Sequence, residues 1–287
     1  MKFYLVIPAH NEEDFLRFTL NAIARQTLPP KKAVIVNDNS TDGTEAVIDE
    51  FVSTHTFFYK VNSTSSSEHL PGSKVVHAFN RGRAILDNNF DFIVKLDADI
   101  VLPPDYFETI SGIFKKDPKI GLAGGFAYEK DKNNNWILNH PMNHDHVRGA
   151  FKAYTKACFE AIGGLRPSVG WDSVDELLAR CHGFKVHTDP SLKVKHLRPL
   201  GESYHKKARA IRGEAMYKMR YGFPLSFIAF AKVAWKYRNI QLFYDSLKGY
   251  FAAKKRKAPF LVSKEEGAFI RTYRYRGIFK KLFFVSG

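Results

Sequence analysis

The chain has 287 residues, 45% of them hydrophobic and 25% charged, enough apolar content for one large domain or for a domain with an appendage. That balance excludes a disordered chain, a collagen-like repeat and a disulfide scaffold. The formal charge of +15 points to an anionic partner: a nucleic acid, an anionic membrane surface or a phosphorylated substrate. The excess is unevenly placed, since residues 1–192 carry 21 Lys/Arg against 24 Asp/Glu and residues 193–287 carry 23 against 5. The two parts are expected to do different jobs.

In chain order, the opening FYLVIPAHNEED loses its apolar character within a few residues and reads as a buried strand, not a signal peptide. Short β-rich apolar runs at Tyr4–Ile7, Ala33–Asn37, Phe57–Val61, Phe92–Leu96 and Ile120–Gly124 alternate with amphipathic segments over about 12–25, 42–54, 73–88 and 104–116. This alternation predicts βαβ units around a parallel sheet, whose ligands collect at the carboxyl ends of the strands. Polar clusters stand at three such ends: Pro8-Ala9-His10-Asn11-Glu12-Glu13, Asp38 to Thr44, and Asp97-Ala98-Asp99.

From 126 to 200 the alternation breaks. Residues 128–150 are polar and irregular, followed by a short helix at 155–161, a helix from about 173 to 182 and a short strand near Lys185–His187. Such a segment commonly builds an acceptor pocket. Beyond Pro199 the chain reads as helix over 202–221 and 224–256, the latter ending in Lys254-Lys255-Arg256-Lys257, and a basic aromatic tail runs from Arg271 to Phe284. The longest apolar run, Phe223–Trp235, contains Ser226 and Lys232 and is shorter than the roughly 20 residues a bilayer crossing needs. The two cysteines, Cys158 and Cys181, imply no metal-thiolate or disulfide framework and fit a reducing cytosolic setting.

Two carboxylates one residue apart at the end of Phe92–Leu96 cannot be buried unpaired. Asp97 and Asp99 therefore either ligate Mg²⁺ or Mn²⁺ together with diphosphate oxygens or form a solvated turn. In the segment after the second strand, capping of the next helix explains Asp42, with Ser40 or Thr41 at the cap and Gly43 for a tight approach. It leaves Asp38 free to accept from a base or ribose. His140, His144 and His146 have a loose metal-like spacing in an Asn-rich loop without cysteine partners, and a zinc site there is not expected.

The ordered set Pro8-Ala9-His10-Asn11-Glu12, Asn37-Asp38-Asn39-Ser40-Thr41-Asp42-Gly43-Thr44 and Leu96-Asp97-Ala98-Asp99 resembles the family 2 glycosyltransferases. The resemblance covers about residues 1–200 and implies the α/β GT-A fold, a Rossmann-like, mostly parallel central sheet flanked by helices. It divides the chain into a transferase domain at 1–200 and a helical basic extension at 201–287. It also implies a metal-dependent inverting transferase of hexosyltransferase type that moves a sugar from a nucleotide-diphosphate sugar, most often a UDP-sugar. The acceptor would be a hydroxyl of a glycan or lipid-linked molecule in cell-surface polysaccharide or lipopolysaccharide assembly.

Carried over residue by residue, the resemblance makes Pro8, Ala9, His10, Asn11 and Glu12 the lining of the nucleotide pocket and Asp38 the partner of the base. Asp97 would contact the ribose or metal region, and Asp99 would ligate Mn²⁺ or Mg²⁺ on the diphosphate. His196 matches a histidine that such enzymes bring toward the metal, and a structural role for it stays open. Asn80-Arg81-Gly82 matches an Asn-x-Gly stretch; Lys74 and Arg81 either reach the nucleotide or lie on a helix surface. The family's catalytic carboxylate usually lies in a Glu-Asp pair about 11 residues before a Gly. Counting back from Gly183 gives Asp172, with Trp171 in place of the Glu, so Asp172 is the first candidate for general base and Asp175 or Glu176 the reserve.

The C-terminal third interleaves aromatics with Lys/Arg at helical spacing. It is read as contact with an anionic membrane surface, placing the protein in the cytoplasm and peripherally on the inner face of the cytoplasmic membrane. The competing reading is ordinary packing of the aromatics, because Phe227, Phe230, Val233 and Ala234 follow core spacing. Nucleic acid is not expected as a partner, no recognisable motif accompanying the charge. A non-catalytic scaffold of the same fold, binding membrane or proteins through the basic end, is the alternative to an enzyme. Nothing in the sequence sets the oligomeric state.

Overall fold

The computed structural model describes residues 1–64, 72–139, 144–198 and 207–283, with backbone only at 207–209 and 281–283. It divides into two compact units, one of Met1–Pro167 with His182–Leu200 and the other of Ser168–Cys181 with Gly201–Gly287. Compared with a boundary at residue 200, one segment changes sides: Ser168–Cys181, which carries Asp172, Asp175 and Glu176, groups with the C-terminal helices.

The first unit is an α/β sheet. Strands β1 (Phe3–Ala9), β2 (Lys32–Asp38), β3 (Phe58–Ser63) and β4 (Phe92–Leu96) alternate with helices α1 (Leu16–Ala24), α2 (Thr44–Thr54) and α3 (Ser73–Ala84). All neighbouring pairs among these strands are parallel, in the order β3-β2-β1-β4. Strands β1 and β4 are buried almost throughout, as parallel strands covered on both faces must be. The order reverses direction between β1 and β4, so the crevice at their carboxyl ends is where the topology places a ligand. Helix α3 can pass this close only because residue 82 is glycine: a Cβ there would lie 2.6 Å from Val6 Cγ1 and 2.7 Å from Val36 Cγ2. Gly82 of the Asn-x-Gly stretch is thus a packing residue, and Asn80 Nδ2 donates to the Leu165 carbonyl at 3.3 Å.

Beyond β4 come β5 (Ile100–Val101), α4 (Tyr106–Lys116), β6 (Ile120–Lys130), β7 (Trp136–Leu138), β8 (Phe151–Thr155), α5 (Lys156–Ala161) and, after the second unit's α6 (Trp171–Cys181), β9 (Lys185–His196). The sheet continues β4-β8-β6-β9-β5, with β7 on β6. Strand β8 lies antiparallel between β4 and β6, while β6 and β9 are parallel. The sheet is therefore mixed in its second half, and the region from 126 to 200 contains β7, β8 and β9 whole together with the last five residues of β6. Strand β6 runs through Gly124-Gly125 because other groups fill the space their side chains would take. A Cβ on Gly124 would lie 2.3 Å from Val147 Cγ1, and one on Gly125 2.3 Å from the Leu192 carbonyl oxygen.

In the second unit α6 is followed by α7 (Lys207–Lys218), α8 (Phe223–Lys236), α9 (Gln241–Lys255) and α10 (Lys264–Phe283). The expected helix over 224–256 is two helices, broken at Tyr237–Ile240, where Arg238 takes a left-handed φ of 48°. The start of the expected helix over 202–221, residues 202–206, and Phe284 lie outside the described residues.

Candidate active site

The loops after β1 and β2 are tied to each other by their own motif residues. His10 Nδ1 lies 2.7 Å from the Asp38 carbonyl oxygen, the Asn11 N–H donates to Ser40 Oγ at 3.1 Å, and the Thr41 N–H donates to Asn11 Oδ1 at 2.8 Å. The Glu12 N–H donates to Thr44 Oγ1 at 2.7 Å and the Gly43 N–H to Glu13 Oε2 at 2.6 Å. Asn11 and Asn39 both sit at positive φ, 53° and 58°, a conformation that asparagine tolerates better than most side chains. The expectation of Ser40 or Thr41 as helix cap is corrected. Gly43 stands at the N-cap of α2 without a side-chain cap bond, Asp42 Oδ1 accepts from the Thr44 N–H at 3.0 Å, and Ser40 and Thr41 turn to Asn11.

Most of the first two motifs is thus spent on holding two strand ends together. Pro8 and Ala9 close β1 beside Val36 and Asn37 of β2. Asp38, at the end of β2, is buried, and its Oδ1 accepts from Ser63 Oγ of β3 at 3.1 Å. That bond fixes the carboxylate's direction. Lys74 lies half-buried in the first turn of α3 and Arg81 is exposed on it.

At the end of β4 the two aspartates have different surroundings. Asp97 pairs with Lys95 Nζ, which also donates to the Gly149 carbonyl at 2.9 Å, and its own N–H donates to the Ala150 carbonyl at 2.8 Å. Burial, with the charge of Asp99, raises the Asp97 carboxyl above the usual range, although Lys95 pulls the other way. Asp99 is 7% exposed, and its Oδ2 lies 3.2 Å from His196 Nε2. Burial would raise it too, but the hydrogen bond and charge of His196, together with Arg198, outweigh burial and lower it. His196 moves in the opposite sense: burial disfavours the imidazolium, and Asp99, Asp97 and Glu129 more than restore it.

The sequence reading passed over several residues here. Lys95, 1% exposed, stands directly across from Lys152 of β8, equally buried. A lysine inside the apolar run Phe92–Leu96 was the available signal, since a buried charge demands a partner. Arg198 NH2 donates to Glu12 Oε2 at 2.7 Å. Glu129, 3.9 Å from His196 Nδ1, accepts from Asn139 Nδ2, and Asn139 Oδ1 accepts from Arg148 at 2.7 Å. His140 lies outside the described residues, and His144 and His146 offer their backbone carbonyls to Thr188 at 2.8 Å each.

Carboxylate oxygens from Asp99 and Asp97 and an imidazole nitrogen from His196 are mixed O/N donors of the kind that divalent ions take. Asp99 and His196, hydrogen-bonded to each other at 3.2 Å, are the side chains that would hold such an ion. Among the described residues no three His, Cys, Asp or Glu side chains are grouped to hold an ion by themselves. Mg²⁺-type sites commonly use one or two carboxylates and take further ligands from substrate phosphates and water.

In the second unit Gly170, at φ 75°, leads into α6, where Asp172 stands in the first turn. Asp172 is half-buried, while Asp175 and Glu176 are buried. Glu176 Oε2 faces Arg180 at 3.6 Å, and the Arg180 guanidinium lies over the Tyr273 ring of α10 at 5.7 Å. The spacing i, i+3, i+4 puts all three carboxylates on one face of the helix.

A family model described as Glycosyl transferase family 2 matches residues 4–166. A poly-beta-1,6-N-acetyl-D-glucosamine synthase of Staphylococcus epidermidis is 27% identical over 128 residues, 45% of this chain and 29% of that protein. A probable glycosyltransferase of Bacillus subtilis, YdaM, is 35% identical over 100 residues, 34% of this chain and 23% of that one. The matches thus span under a third of these relatives' length. Among solved structures, residues 1–349 of S. aureus TarS in complex with UDP-GlcNAc superpose with a TM-score of 0.58 at 15% identity, over 88% of this chain and 73% of that one. The mannosyltransferase PcManGT from Pyrobaculum calidifontis, in complex with GDP-Man and Mn²⁺, gives 0.57 at 18% identity over 98% and 81%. At these identities the likeness shows the fold, which is of the GT-A kind.

Proposed function

The chain belongs to glycosyl transferase family 2, and on that premise we propose a metal-dependent inverting transferase that takes its sugar from a nucleotide-diphosphate sugar, a UDP-sugar first. The acceptor is a hydroxyl of a glycan or lipid-linked molecule in cell-surface polysaccharide or lipopolysaccharide assembly, and the chain works in the cytoplasm at the inner face of the membrane. Relatives named for polysaccharide synthesis and a neighbour holding UDP-GlcNAc support the donor and product classes.

One observation carries the reading: Asp99 and His196 stand as a buried donor pair beside Asp97 at the crevice between β1 and β4. In the proposed site Asp38, held by Ser63, accepts from the base, the loop Pro8–Glu12 lines the nucleotide, and Asp97 orients the ribose. Asp99, His196 and Asp97 would hold Mn²⁺ or Mg²⁺ with the diphosphate. When bound, the ion supplies charge stabilisation to the departing diphosphate.

Asp172 is proposed as the base that takes the acceptor hydroxyl proton as the oxygen attacks the anomeric carbon opposite the diphosphate. It is the least enclosed of the three α6 carboxylates. Titration calorimetry of UDP and GDP with and without Mn²⁺, on wild type and Asp99→Ala, tests the donor site. Metal-stimulated binding that the substitution abolishes is expected; metal-independent binding that it leaves untouched would overturn the metal assignment.

A further inference from the structure

We propose that the hairpin of α8 and α9 is a docking surface for an anionic phospholipid bilayer, lying in the plane of the membrane interface. The inference deepens the membrane placement proposed above by naming the surface that makes it, and it does not rest on the donor-site reading. Pro224 in the first turn and the left-handed Arg238 at the far end define α8 as one arm of a helical hairpin. Along the seam between the arms runs a row of rings. Phe251 and Phe223 have centroids 5.4 Å apart, Phe223 and Phe227 5.9 Å, and Phe227 and Phe243 5.2 Å.

The row opens at the turn into a groove of about 720 Å³ lined by Phe227, Ala234, Trp235, Arg238, Ile240 and Phe243, among others. Beside it, Trp235 is 87% exposed, Ile240 63%, Tyr237 61% and Tyr244 58%. Large apolar groups clustered in this way mark an interaction site, and Trp and Tyr are the residues that settle at the boundary between headgroups and acyl chains.

The charge identifies the occupant. Residues 223–257 carry eight Lys/Arg against one acid, Asp245, and Lys232, Lys236, Arg238, Lys248, Lys254 and Lys255 are exposed. A second copy of the chain would bring this excess against itself. A nucleic acid strand would draw the cations into the groove beside the rings, yet the groove is apolar and Arg238 is its one cationic lining residue. Anionic headgroups above an apolar interior take both kinds of group, each at its own depth. Among the described residues no helix is long and apolar enough to cross a membrane, so the contact is in-plane.

Flotation of the full chain, without nucleotide, on vesicles of phosphatidylcholine alone and of phosphatidylcholine mixed with phosphatidylglycerol tests this. Wild type is expected to float with the mixed vesicles only. Trp235→Ser with Ile240→Ser, and separately Lys232→Ala with Lys236→Ala and Arg238→Ala, should each weaken binding roughly tenfold or more. A second readout does not depend on how these variants fold: brominated lipid in the mixed vesicles should quench emission in wild type, and the quenched part should vanish in Trp235→Phe. Failure of wild type to float, equal flotation on both vesicles, or variants that float like wild type would overturn the proposal. So would a dimer in sedimentation that the Trp235→Ser, Ile240→Ser variant disperses. Because the assay contains no donor, its failure leaves the calorimetric test of the transferase site standing, and the reverse holds.

Discussion

Arg198, two residues past the end of β9, places its guanidinium 2.7 Å from Oε2 of Glu12, in the loop after β1. The bond ties the last strand of the first unit's sequence to its first and leaves Arg198 about half exposed. Glu12 is nonetheless held with its pKa raised to about 7, chiefly by burial and then by the charges of Asp99, Asp97 and Asp42, against the pull of Arg198.

The first prediction follows from that shift. Between the ordinary carboxyl value of 4.5 and about 7, the folded chain keeps a proton on Glu12 that the unfolded chain releases. The Glu12 contribution to stability is thus greatest at acid pH and falls as pH rises through this window. Urea unfolding near pH 5 and near pH 8 should show Glu12→Gln losing less stability over that rise than wild type, by roughly 1–3 kcal/mol after allowance for partial exposure. Identical losses in the two proteins would rule out the shift.

His196 offers the second. If it shares an ion with Asp99, His196→Ala should raise the Mn²⁺ concentration for half-maximal nucleotide binding by roughly tenfold or more, with little change in binding measured without metal. A variant whose Mn²⁺ dependence matches wild type would confine His196 to its hydrogen bond with Asp99.

For Asp172, replacement by Asn keeps the size and removes the base. Donor affinity should hold within about twofold while turnover falls roughly 10²–10⁴-fold. Full turnover in Asp172→Asn would transfer the role to Asp175 or Glu176. Quantifying released nucleotide and transferred sugar separately distinguishes loss of transfer from loss of donor hydrolysis.

The strand-end motifs were legible because carboxylates in a run such as Leu96-Asp97-Ala98-Asp99 cannot be buried unpaired, and strand ends are where a sheet of this class opens to ligands. What those residues spend themselves on was not legible. Ser40 and Thr41 serve Asn11 and not the helix, a pairing between chain segments about 30 residues apart that no local rule encodes. The apolar run Ile120–Gly124 predicts a strand of that length, whereas β6 continues to Lys130, and Gly124 and Gly125 are placed by the approach of Val147 and Leu192 from distant segments. Lys95 and Lys152 meet only because β8 inserts between β4 and β6, and Phe151–Thr155 is too short and too polar at Lys152 to announce itself. The grouping of Ser168–Cys181 with the C-terminal helices likewise follows from tertiary packing such as Arg180 over Tyr273.

The last prediction concerns the helical unit, where two glycines let α7 and α9 cross with their backbones in contact. A Cβ built on Gly213 would sit 1.8 Å from the Ser246 carbonyl oxygen, and one on Gly249 1.8 Å from that of Ala210. In both cases the obstacle is backbone and cannot rotate away, so the helices themselves would have to separate. Gly213→Ala and Gly249→Ala should each destabilise the unit by about 3 kcal/mol or more, at or beyond the upper end of overpacking costs, outweighing the gain of about 1 kcal/mol that alanine brings to a helix. Gly112, mid-helix in α4 with nothing within 4 Å of an added Cβ, supplies the control. Gly112→Ala should stabilise by about 0.5–1 kcal/mol. Thermal melts of the three variants decide the matter: a Gly213→Ala protein that gains stability as Gly112→Ala does would show that the helices do not cross at this distance.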